Sequence, residues 1–131
     1  MPVMENPGID LRTIDKRMRL LVRVLNTIPG LQTHTSCGGH KKTENRVYPA
    51  PYGGFYVDFV CRMNSADTII PVIQQGISPY SDNVTLERNS EGERIHKDHL
   101  HDGDTVWTLS GKEIHPDMIA YQLLSELEKK K

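Results

Sequence analysis

A chain of 131 residues, 37% apolar and 25% charged, fits one domain, 1–131, long enough to bury a core without staples. No apolar run approaches the ~18 residues of a membrane span, and 16 basic against 17 acidic residues leave a formal charge of −1, which excludes wholesale attraction to nucleic acid or an anionic membrane. The start, Met1-Pro2-Val3-Met4-Glu5-Asn6, lacks the basic and apolar segments of a signal peptide, and only two cysteines occur, so a reducing, cytoplasmic setting without a membrane partner is expected.

Asp10 is a good N-cap, and Leu11, Ile14, Met18, Leu21, Val22 and Leu25 recur at three- and four-residue spacing, which predicts an amphipathic helix over 11–27 ended by Pro29-Gly30. Arg12, Lys16, Arg19 and Arg23 form one stripe along it, either a solvated face or a row turned to phosphate. Against the acidic residues elsewhere, such a row predicts only low-affinity, salt-sensitive binding to RNA. Residues 31–36 alternate as a short strand, and 37–54, with two prolines, four glycines and no helical period, predicts a long loop or lid.

Phe55, Val57, Phe59 and Cys61 then alternate with Tyr56, Asp58, Val60 and Arg62, the period of a strand with one apolar face. Ser65 is placed to cap a helix over 66–75, in which Pro71 predicts a kink or a late start and Gly76 the stop. Val84 to Asn89 and Thr105 to Ser110 predict two more strands, paired antiparallel, with a turn at Ser90-Glu91-Gly92-Glu93. His115-Pro116 opens a last helix with Ile119, Ala120, Leu123, Leu124 and Leu127 on one side, and Lys129-Lys130-Lys131 suits the dipole at its C-terminal end. The order αββαββα predicts an α+β fold, helices packed on a mainly antiparallel four-stranded sheet, in two halves without a residue-level repeat.

The chemistry concentrates in Thr33-His34-Thr35-Ser36-Cys37-Gly38-Gly39-His40. Gly38 and Gly39 strip side chains from the turn so that backbone N–H groups can face a ligand, while Ser36, Cys37 and His40 bring a hydroxyl, a thiol and an imidazole. If the lid folds over the mixed face of the 55–62 strand, Lys41, Lys42, Arg46, Tyr52, Asp58 and Arg62 converge there. That pocket suits a small anionic, nucleotide-like ligand. As an enzyme, the same site would use His40 or Asp58 as general base, with Cys37 either a nucleophile or a small buried hydrophobe.

His34, Cys37 and His40 have metal-like spacing, but no second pair completes four ligands, so no bound zinc is expected. Between His96 and Asp104 three histidines and three further acidic positions, 98, 102 and 104, read as a polar loop or as support for a metal or proton transfer. Their spacing is not that of a calcium loop. Cys61 belongs to the apolar face. A Cys37–Cys61 disulfide is open if the two strands are neighbours and disfavoured by a reducing compartment. Trp107 reads as a core anchor ahead of a stacking surface.

The stretch Thr35-Ser36-Cys37-Gly38-Gly39-His40, after an amphipathic helix and before an alternating strand, resembles the Ser-Ser-Cys-Ser-Gly-Arg motif of the tRNA wybutosine-synthesising methyltransferase family. Ser36, Cys37 and Gly39 match, Gly38 stands where that family has Ser, His40 where it has Arg, and residues 64–131 carry no second motif of the family. The resemblance implies a related fold over about residues 10–62 and, as an activity, methylation of a nucleoside in tRNA with S-adenosylmethionine as cofactor. The stretch is also similar to small phage and bacterial proteins with Pro-Gly-x-x-Thr followed by Ser-Cys-x-Gly-His, which leaves a regulatory or protein-interaction module as a third reading.

Overall fold

Helical periodicity at the start of the chain becomes a 3-10 turn, Lys16–Met18, running into α1, Arg19–Asn26, which buries Leu21, Val22 and Leu25. The computed structural model describes residues 16–37, 54–89 and 100–129, apart from the side chains of Thr35 and Cys37. Asp10 and Arg12, the loop between the first two strands, the turn at Ser90–Glu93 and the histidines at 96 and 99 lie outside these residues. The remaining elements are β1, Leu31–Cys37; β2, Phe55–Cys61; α2, Ala66–Ile77, followed by a 3-10 turn, Ser78–Tyr80; β3, Val84–Arg88; β4, Thr105–Gly111; and α3, Pro116–Lys129. The fold is α+β in the order αββαββα, and no helix among the described residues is long and apolar enough to cross a membrane.

The four strands form one sheet in the order β1-β2-β4-β3, every neighbouring pair antiparallel. Each hairpin contributes its second strand to the centre, so β2 and β4 lie side by side and β1 and β3 form the edges. The period of two in β2 sends Phe55, Val57, Phe59 and Cys61 to one face, where all are buried with the apolar sides of the three helices. Trp107 lies opposite Phe59 on that face, half-buried against the core, and its indole Nε1 donates to Thr105 Oγ1 at 2.8 Å. Cys61 is a buried free thiol. The register sets Leu31 opposite Cys61 but Cys37 opposite Tyr56, so the two cysteines are about 17 Å apart along the strands, too far for a disulfide.

Tertiary packing overrides three local signals. Gly76 does not stop α2, which continues to Ile77. A Cβ at Gly76 would stand 2.6 Å from Leu123 Cδ2, so the glycine is there to let α2 approach α3. The helix also runs through Pro71, whose ring is exposed. Ser65 precedes α2 without capping it by its side chain; the hydroxyl instead points to the Gly30 carbonyl at 3.5 Å. Gly30 has φ of 88°, and a Cβ there would lie 2.7 Å from Ser65 Oγ, so the Pro29-Gly30 turn needs glycine on both counts.

Asn26 closes the same corner from inside. Its Nδ2 donates to the Val22 carbonyl at 2.7 Å and to Thr33 Oγ1 at 2.8 Å, and its Oδ1 accepts the Thr33 N–H at 3.2 Å. The turn 27–30 thus brings β1 back along α1 through a buried amide that satisfies the N–H and the hydroxyl of Thr33. At the other end of the chain α3 buries Ile119, Ala120 and Leu123 as its periodicity requires, but Leu124 stands on the outer side at 38% exposure.

Candidate functional site

With all three helices on one face, the other face of the sheet is where polar side chains of the strands gather. Across its centre the register sets Asp58 of β2 beside Thr108 of β4 and then Glu87 of β3, with Tyr56, Ser110 and Thr85 as the next row. Thr108 Oγ1 donates to Asp58 Oδ1 at 2.6 Å, and the hydroxyls of Thr85 and Ser110 are 2.9 Å apart. On the side of this band away from Tyr56, Val60 and Val106 form a small apolar cluster with Leu100. Asp58 itself is wholly buried. A carboxylate removed from water costs several kcal/mol unless polar neighbours replace its hydration, so the position is not a neutral choice for a strand centre.

β1 is irregular at the same level. Thr33 pairs with Phe59 and Ser36 with Val57, so two residues of β1, His34 and Thr35, stand opposite the single residue Asp58. Such a bulge bends the strand and re-aims side chains, and bulges concentrate beside binding and active sites. The shift turns Ser36, half-buried, to the same side as Val57, toward the helices, whereas His34 is exposed. The backbone of Cys37 pairs with Tyr56. Gly38, Gly39, His40, Lys41, Arg46 and Tyr52 follow β1 in the sequence and lie outside the described residues.

Arg62, at the end of β2, is anchored rather than open to a ligand. Its Nη1 donates to Asp104 Oδ2 at 2.5 Å, and its Nε and Nη2 donate to Gln32 Oε1 at 3.2 and 2.7 Å. Asp104 also accepts the N–H of His101 at 2.9 Å and that of Met63 at 3.1 Å. Burial by itself raises the Asp104 pKa, but the His101 N–H, the Arg62 guanidinium and the Met63 N–H together outweigh it and hold the carboxyl below its ordinary value. The brace holds Met63 and Asn64 in left-handed backbone, φ 52° and 62°, with the Asn64 N–H donating to the Gly103 carbonyl at 2.8 Å. It fixes the exit of β2 against the start of β4.

Of the residues singled out in the sequence, the structure thus brings Asp58 and Tyr56 onto one face and sets Arg62 at its end in a brace. Lys16, Arg19 and Arg23 are exposed on the helix side of the molecule, behind the sheet from Asp58. Among the described residues no three His, Cys, Asp or Glu side chains come together as a metal set. The sequence reading passed over Thr108, Gln32, Asn26 and the bracing role of Asp104. For Thr108 a signal existed, since Thr105-Val106-Trp107-Thr108-Leu109-Ser110 sets its hydroxyl residues Thr108 and Ser110 on alternate positions. Gln32 and Asn26 had none, because their partners depend on how the chain returns.

No family model, curated protein or solved structure matches the chain.

Proposed function

We propose that the sheet face around Asp58 binds a small nucleotide-like ligand, the donors of its base or sugar on the polar band whose centre Asp58 holds and its anionic end toward the end of β1. The observation that carries this reading is the buried carboxylate at the centre of the sheet, beside a bulge, in a band of hydroxyls. A carboxylate repels an anion, so a purely anionic ligand does not suit Asp58. A ligand with hydrogen-bond donors at one end and negative charge at the other does. Along β2 the step from Asp58 to Tyr56, level with the end of β1, is about 7 Å, comparable to the distance from sugar to phosphate in a nucleotide. Gly38, Gly39, His40, Lys41 and Arg46 come next in the chain, and a glycine pair followed by basic residues is a composition suited to phosphate. S-adenosylmethionine offers the same pattern of donors with a carboxylate, which keeps nucleoside or tRNA methylation within the reading.

Calorimetric titration of nucleosides, nucleoside monophosphates, inorganic phosphate and S-adenosylmethionine tests the proposal. Binding of a nucleotide or of S-adenosylmethionine, tighter than that of phosphate alone, is expected. Asp58→Asn keeps an oxygen for the Thr108 hydroxyl but loses the charge, and should weaken that binding by about ten- to a hundredfold. If none of the compounds binds, or if the folded Asn variant binds as the parent does, the reading is wrong. Preference for S-adenosylmethionine would direct the next assay to methyl transfer.

A further inference from the structure

Asp58 is wholly buried, so its carboxylate is not open to a ligand, and no buried side-chain oxygen or nitrogen among the described residues lacks a partner. Its oxygens are taken up by the protein. What reaches the surface of the sheet at this level is the residue that it holds. Thr108, half-buried on β4, stands opposite Asp58, and its hydroxyl donates to Asp58 Oδ1 at 2.6 Å. A hydroxyl has one proton and two lone pairs, whereas a carboxylate only accepts. The proton of Thr108 is therefore committed to Asp58, and its oxygen is left as an acceptor with no proton to give. Glu87, exposed and opposite Thr108 on β3, extends the row with a second group that only accepts. The next row differs. Ser110 and Thr85 face each other at 2.9 Å as two hydroxyls, either of which can donate to the other, so the pair keeps one proton for a ligand and can turn to suit it. Along β4 a fixed acceptor thus lies about 7 Å from an adaptable pair.

Resting on the proposal that this face is a nucleotide site, we infer that Thr108 is the residue that selects the ligand. Its oxygen accepts from a donor, either an amino group of the base or a hydroxyl of the sugar. Asp58 is a positioning residue that fixes the direction of this bond from beneath. An oxo or ether oxygen in the same place would meet a second acceptor, with no proton between the two. Thr108 cannot turn its own proton outward without leaving a buried carboxylate short of a donor, which costs more than the new bond returns. A threonine without that carboxylate would simply rotate and accept either kind of ligand. Discrimination between donor and acceptor is thus what a buried carboxylate at the centre of the sheet adds to a band of hydroxyls.

Calorimetry on the full chain with matched pairs of ligands tests the inference. Adenosine against inosine monophosphate, and cytidine against uridine monophosphate, exchange an amino group for an oxo group. Adenosine monophosphate against its 2′- and 3′-O-methyl forms keeps the sugar oxygen and removes its proton. Where S-adenosylmethionine is the ligand bound, its adenine is exchanged for hypoxanthine in the same way. At least one exchange should weaken binding by about tenfold or more, and which one does so identifies the donor as base or sugar. Thr108→Ser keeps the hydroxyl and should keep that ratio. Thr108→Val should bring it toward one, and so should Asp58→Asn, whose amide can donate to Thr108 and release its proton. Circular dichroism checks each variant, and Asp58→Asn carries the test if Thr108→Val unfolds. A parent that binds both members of every pair within about twofold overturns the inference and leaves the nucleotide site standing. So does a folded Thr108→Val or Asp58→Asn variant that keeps the parent's ratio. If neither the nucleotides nor S-adenosylmethionine bind, the inference and the site fall together.

Discussion

Replacing Asn26 by Ala tests whether the corner between α1 and β1 is held by one amide. Asn26 is 4% exposed and Thr33 9%, so neither polar group of Thr33 can turn freely to water when the amide is gone. The Thr33 N–H loses its acceptor at 3.2 Å and the Thr33 hydroxyl its donor at 2.8 Å. A buried N–H left without a partner costs about 1–3 kcal/mol and each of the two lost bonds of the Nδ2 group about 1 kcal/mol, so the loss is at least about 3 kcal/mol. The better helix propensity of Ala returns only a few tenths of a kcal/mol at the last residue of α1. Urea unfolding reads the effect. With a slope of about 1.5 kcal/mol per molar for a domain of this size, the midpoint should fall by at least about 2 M at unchanged slope. Thr33→Val supplies the other side of a double-mutant cycle, in which a coupling of about 1 kcal/mol is expected because the two residues share the bond. A midpoint shift under about 0.5 M, or additive single effects, would show that water replaces the amide and that the corner is held by the apolar core alone.

Asp104 and Cys61 give two more tests. The folded Asp104 pKa lies below its unfolded value, so its contribution to stability is present above the usual carboxylate range and lost as the pH falls below it. Asp104→Asn should therefore cost about 1 kcal/mol near neutral pH, a modest figure because Arg62 remains partly in water, and should flatten the acid limb of a plot of urea midpoint against pH. An acid limb as steep as the parent's would count against the brace. Burial pushes the Cys61 thiol up to about 12, against a smaller lowering by its hydrogen bond with Thr105. In a Cys37→Ser background the native protein should resist a thiol reagent at pH 8 and react at the rate of unfolding; rapid labelling would mean that the β2 end of the core opens locally.

How much of this was legible in the sequence follows from how local each cause is. Periods of three to four and of two are set by the chain itself, so the buried sides of α1, β2 and most of α3 could be read directly, as could the separation of Asp58 from Phe59. Leu124 shows the limit, since a run of two leucines wraps past the core face and the second emerges. Gly76 misled because its signal as a helix stop is identical to its signal as a point of close approach, and only the position of Leu123 decides between them. The bulge at Asp58 and the β2–β4 pairing have no local cause. One adds a residue without changing composition, and the other depends on two hairpins meeting by their second strands. For the same reason Asp58 could be placed on a face, but its complete burial could not be foreseen.

That seam has a consequence for how the molecule is put together. Asp58 and Thr108 are fifty residues apart, whereas each hairpin brings together strands adjacent in the chain, so the contact between β2 and β4 carries the largest loop-closure entropy in the sheet. Each helix and its hairpin can take shape before the sheet is joined. The hydroxyl band is split between them, Asp58 and Tyr56 in one half and Thr108, Ser110 and Thr85 in the other. Neither half alone carries the whole band, so the ligand site proposed for it would exist only once one half has docked on the other. A molecule held across the band would act as a clasp on the seam, prolonging the life of the assembled sheet rather than hastening its formation.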